Sequence, residues 1–135
     1  MTDRSTGTSR LLAVVDDNEE FRAIVRAVAE PIGWQVSEFA NGTELFVGLA
    51  RDFLPQLIML DMVMPEMDGI ETIAALGATS VRCPVILMTG RLPLYTRTAD
   101  QPGRAHGISI LEILQKPVPL ARLRAVLGEP AAPGR

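Results

Sequence analysis

Five short apolar runs alternate along the chain with longer stretches in which apolar residues recur at helical spacing. The runs are Leu11–Val15, Trp34–Phe39, Leu57–Leu60, Val85–Met88 and Ile108–Leu114. The first, third and fourth are apolar throughout, as strands covered by helices on both faces must be. The second and fifth carry Gln35, Ser37, Glu38, Ser109 and Glu112, which suits the edges of a sheet. Between the runs, Asn18 can cap a helix whose apolar positions are Phe21, Ile24, Val25 and Val28, ended by Pro31 and Gly33. Helices are also predicted over Asn41–Phe53 and Ile70–Leu76, the latter closed by Gly77. A last one covers Pro119–Leu127, with Leu120, Leu123 and Leu127 on one stripe. Pro93 and Pro102 interrupt the interval Thr89–Gly107, so the fourth crossover is expected to be irregular. Strand followed by helix, repeated in this way, predicts an α/β fold, a doubly wound parallel sheet with helices on both faces.

The 135 residues suffice for one domain, with 47% hydrophobic and 21% charged positions typical of a globular chain. Residues 1–9 and 129–135 are small, polar or proline-rich and are expected to be flexible tails. The folded unit should therefore span 10–128. A net charge of −3 lacks the electrostatic footprint of a dedicated nucleic-acid binder. The single cysteine, Cys83, and single histidine, His106, cannot build a disulfide or a multi-histidine zinc cage. Neither a membrane span nor a signal peptide is visible, so the expected setting is soluble and cytoplasmic.

Functional groups in such sheets gather at the carboxyl ends of the strands. Asp16 and Asp17 follow the first predicted strand, Asp61 the third, Thr89 the fourth, and Lys116-Pro117 the fifth. Taken singly, an Asp pair can be a helix cap, Thr89 a turn hydroxyl and Lys116 a surface charge. Their convergence on one edge points to chemistry. Three carboxylates there would repel by roughly 3 to 4 kcal/mol per close pair at an effective dielectric near 20, and a hard cation such as Mg²⁺ is the natural remedy. A carboxylate flanked by a hydroxyl and an ammonium is suited to accepting a phosphoryl group.

Leu60-Asp61-Met62-Val63-Met64-Pro65-Glu66-Met67-Asp68-Gly69 resembles the phosphoacceptor loop of bacterial two-component response-regulator receiver domains, and the resemblance runs from about Leu11 to Leu127. It implies a flavodoxin-like sheet of order 2-1-3-4-5. It makes Asp61 the phosphorylated aspartate, Asp16-Asp17 the acidic pair, Thr89 the switch hydroxyl, and Lys116 a catalytic lysine joined to Pro117 by a cis bond. Mg²⁺ would be held by Asp17, Asp61 and the Val63 carbonyl, with Asp16 acting mainly through water. Gly69 and Pro65 are read as loop formers.

The implied partners are a sensor histidine kinase or a histidine phosphotransfer protein, and a downstream protein; neither nucleic acid nor a membrane is expected. The chain would not be an enzyme in the ordinary sense, since it catalyses only its own phosphorylation and dephosphorylation. It departs from the family pattern at Ile113, where many receivers carry an aromatic switch residue, and in the 27-residue step from Thr89 to Lys116. Arg91, Arg97 and Arg104 make that step locally basic. It is the expected two-state element and partner surface, residues 90–107.

Two other function classes compete with a stand-alone, single-domain receiver. A pseudo-receiver acting as a constitutive interaction module would explain Ile113 and the altered crossover. A Mg²⁺-dependent phosphohydrolase of the haloacid-dehalogenase kind would place an Asp two residues after the nucleophile, where this chain has Val63.

Overall fold

The apolar runs form strands and the periodic stretches form helices, with a described helix after every strand except the fourth. The computed structural model describes residues 10–51, 53–64, 67–90 and 107–128. The strands are β1 (Arg10–Val15), β2 (Trp34–Phe39), β3 (Leu57–Asp61), β4 (Val85–Thr89) and β5 (Ile110–Gln115). The helices are α1 (Glu19–Ala29), α2 (Gly42–Ala50), α3 (Gly69–Gly77) and α4 (Leu120–Gly128), with a 3-10 turn over Glu30–Ile32.

All four strand pairs are parallel and the spatial order is β2-β1-β3-β4-β5. In chain order this is 2-1-3-4-5, the flavodoxin-like topology. β3 and β4 are buried along their whole length, while β2 and β5 carry the polar residues and form the edges. Alternate side chains of each strand point to opposite faces, so the sheet divides the core in two. Leu12, Val14, Met59, Ile86 and Met88 pack beneath α1 and α4 with Val25, Val28 and Leu123. On the other face Ala13, Val15, Ile58, Leu60 and Leu87 pack with Leu45 of α2 and Ile73 and Leu76 of α3. Each fully buried Leu or Ile contributes roughly 1.5–3 kcal/mol, which holds the strand ends in fixed register.

Three helices begin at side-chain caps that the sequence supplies. Asn18 accepts from the Phe21 N–H, Asn41 from Glu44, and Asp68 forms a reciprocal capping box with Glu71. Gly33, with φ of +109°, turns the chain from α1 into β2.

Two boundaries depart from the periodicity. The second helix was expected to reach Phe53 but ends at Ala50. Beyond it the Arg51 and Phe53 N–H groups both return to the Gly48 carbonyl, and the Phe53 ring lies 5.6 Å from that of Phe39. Phe53 thus stays in the apolar layer without being helical. The fifth strand was expected from Ile108 and starts at Ile110, with a register shift opposite Val85 and Ile86 that leaves Leu111 unmatched. Ile108 is nevertheless buried, and the Ser109 carbonyl accepts from the Val85 N–H.

Candidate functional site

The carboxyl ends of β1, β3, β4 and β5 meet at one edge of the sheet and bring their polar residues together. Asp16 follows β1, Asp61 is the last residue of β3, Thr89 the last of β4, and Lys116 the first residue after β5. Parallel pairing fixes this convergence: Asp61 lies opposite Met88, and Thr89 opposite Gln115. The Lys116 N–H donates to the Thr89 carbonyl at 2.8 Å, and the Lys116–Pro117 peptide bond is cis.

Asp16, Asp17 and Asp61 each place a carboxylate oxygen within 4.8 Å of the others. Asp16 and Asp61 are buried and Asp17 is exposed, so the cluster has two fixed anions and one facing water. Lys116 Nζ donates to Asp16 Oδ2 at 2.6 Å and lies 3.4 Å from Asp61 Oδ2. Asp16 is held further through Oδ1, which accepts from the Asn18 N–H, and through its carbonyl, which accepts from Arg22 at 2.6 Å.

Asp61 is less well served. Beyond Lys116 it accepts from the Val63 N–H, at a long 3.4 Å. Burial, and then the negative charge of Asp16, push its carboxyl from the usual 3.8 up to about 6. Lys116 and the Val63 N–H oppose that rise only in part. Although burial works against it, the Lys116 ammonium is held above its ordinary range by Asp16 and Asp61. One ammonium therefore faces a surplus of anionic charge. An all-oxygen donor set with no His or Cys among it suits Mg²⁺, so the residues present fit a hard divalent cation.

The loop after Asp61 is shaped by Gly69. A Cβ there would lie 2.8 Å from Met62 Cα and 2.9 Å from the Asp61 carbonyl oxygen, so glycine is required for α3 to start against the site. Val63, two residues past Asp61, is 60% exposed. Ile113 lies on β5 opposite Leu87, half-buried in the apolar layer shared with α2 and α3 and away from the carboxylates. Thr89 is fully buried at the site edge. The segment expected to carry the partner surface, with Tyr95, His106 and most of residues 90–107, lies outside the described residues, as do Pro65, Glu66 and both tails.

Sequence reasoning missed Phe21 and Arg22 of α1. The Phe21 ring centroid is 4.9 Å from Lys116 Nζ, and a groove of about 540 Å³ opens beside them, lined also by Ile24, Val118 and Leu120. Helical spacing marked Phe21 as a core position, and nothing in the linear sequence ties it to position 116.

The chain matches the family model described as response regulator receiver domain over residues 12–128. It is 32% identical over 111 residues to the virulence-factor transcription regulator BvgA of Bordetella pertussis, covering 81% of this chain and 53% of that protein. It is 33% identical over 122 residues to the response regulator MprA of Mycobacterium leprae, covering 87% and 50%. The chain thus spans about half the length of these relatives. Among solved structures, chemotaxis protein CheY4 of Vibrio cholerae superposes with a TM-score of 0.74 at 25% identity, covering 89% of this chain and 97% of that one.

Proposed function

Because this chain belongs to the response regulator receiver domain family, we propose that it is a phosphoacceptor of a two-component relay, taking a phosphoryl group on Asp61. The observation that carries this is the position of Lys116 Nζ, 2.6 Å from Asp16 and 3.4 Å from Asp61 inside a cluster of three carboxylates. In the reaction an Asp61 oxygen attacks the phosphorus in line. The new P–O bond forms as the P–N bond of a phosphohistidine breaks, or the P–O bond of a small acyl phosphate, and the electron pair leaves with the donor. Lys116 and the Thr89 hydroxyl share the charge on the transferred oxygens. The hydrogen bond to buried Asp16 keeps Lys116 protonated.

Asp16, Asp17, Asp61 and the Val63 carbonyl are the groups that would hold Mg²⁺, which when bound supplies positive charge against the phosphoryl oxygens. The chain acts on itself and turns over no separate substrate. Its donors are a sensor histidine kinase or a histidine phosphotransfer protein in the cytoplasm. Output is a phosphorylation-dependent contact with a downstream protein through residues 90–107, or onward relay of the phosphate. Ile113 stands where many receivers carry the aromatic switch residue and cannot make the same swing, so the Thr89 movement is read by the backbone just after it.

A phosphorylated histidine phosphotransfer domain mixed with this chain and Mg²⁺ should lose its label to the chain. With a chelator present, transfer should fall steeply. Label that stays on the donor, or that moves equally well without divalent metal, would overturn this function.

A further inference from the structure

Four contacts close a ring around the Lys116 ammonium. Asp16 Oδ1 accepts the Asn18 N–H at 2.8 Å, and Asn18 Oδ1 accepts the Phe21 N–H at 3.0 Å. The Phe21 ring then lies 4.9 Å from Lys116 Nζ, which donates back to Asp16 Oδ2 at 2.6 Å. The cap that starts α1 is therefore also the device that aims its third residue at the lysine.

From this juxtaposition we infer that Phe21 is a positioning residue. The face of its ring holds the Lys116 ammonium in reach of Asp61, ready for an incoming phosphoryl oxygen. The role rests on the phosphoacceptor function proposed above. A lysine ammonium is a point charge on a flexible four-carbon stem, and Asp16 alone would draw it away from Asp61. The ring bounds the site on a further side with the negative face of its quadrupole, which attracts the cation without neutralising it. Phe21 is itself braced, since it packs against the apolar layer beneath α1 and α4. When the phosphoryl group arrives, Lys116 needs only a small shift from Asp16, with the ring contact kept.

The experiment replaces Phe21 by phenylalanines carrying one, two and three ring fluorines, which keep the volume and progressively weaken the negative face. Phosphorylation by acetyl phosphate in Mg²⁺ is followed by mass. The rate should fall stepwise, to about three- to tenfold below wild type at the most fluorinated ring. Phe21→Leu should fall comparably, whereas Phe21→Tyr should stay within about twofold, because its ring face is retained. Equal rates across the fluorinated series would overturn the role, since packing alone is indifferent to fluorine.

A second readout needs no phosphoryl donor. The Lys116 side-chain protons should carry an upfield ring-current shift in wild type that is lost in Phe21→Leu. Absence of that shift in wild type would overturn the contact itself. A wild-type chain that takes no phosphate overturns the phosphoacceptor function and the positioning role with it, whereas a phosphorylated series insensitive to fluorine overturns the positioning role alone.

Discussion

Replacing Asp61 by asparagine should stabilise the metal-free protein at alkaline pH, even though it removes the proposed phosphoacceptor. Burial and the Asp16 charge raise the Asp61 carboxyl from 3.8 to about 6. In the unfolded chain it ionises near 3.8, so between these two values the folded state keeps a proton that the unfolded state has lost. Stability is thus unaffected by Asp61 below pH 3.8 and falls as pH rises through the window to about 6. Above the window the whole penalty is present, about 3 kcal/mol at 1.36 kcal/mol per pH unit. Asparagine carries no charge at any pH and escapes it. At pH 8 in chelator, Asp61→Asn should therefore be about 2–3 kcal/mol more stable than wild type, melting roughly 10 °C higher. At pH 4 the difference should shrink below about 1 kcal/mol. Urea unfolding at both pH values measures this directly. A variant no more stable than wild type at pH 8, or an advantage that persists undiminished at pH 4, would refute the account of a strained, buried anion.

Mg²⁺ at tenfold excess over its dissociation constant should stabilise wild type by about 1.4 kcal/mol, and Asp17→Ala should lose most of that gain; a melting temperature indifferent to Mg²⁺ would contradict it. Gly69→Ala should cost about 1–3 kcal/mol in urea unfolding, because the new Cβ meets backbone at Met62 and Asp61 that cannot swing aside. Asp68→Ala removes the Asp68 carboxylate that accepts the Glu71 N–H in the α3 capping box and should cost about 1 kcal/mol, with faster amide exchange over residues 69–77.

The apolar pattern made the sheet legible because burial on two faces and burial on one leave different signatures. Unbroken runs marked β3 and β4 as central, and Glu38 and Glu112 marked their strands as edges. The polar groups were equally legible, since each stands at the end of a run and parallel strands carry their ends to one side. Boundaries were less so where side-chain burial and backbone state part company. Phe53 packs partly buried in the apolar layer without being helical, and the extra residue on β5 is set by pairing with β4 rather than by anything local. The contact of Phe21 with Lys116 was illegible, because two residues 95 apart in sequence meet only through the sheet register and the angle of α1. Charge at the site was half legible. Three clustered carboxylates foretold repulsion, but the burial that pushes the Asp61 carboxyl upward is set by the fold and not by the linear sequence.

The central claim is that Asp61 accepts the phosphoryl group, and the most direct measurement is intact mass after incubation with acetyl phosphate and Mg²⁺, wild type beside Asp61→Asn. Wild type should gain the mass of a single phosphoryl group, and Asp61→Asn none. Slow labelling of a neighbouring hydroxyl in the variant would be distinguishable by its rate and its stability to alkali. Wild type without the gain, or Asp61→Asn modified as fast and as fully as wild type, would contradict the account.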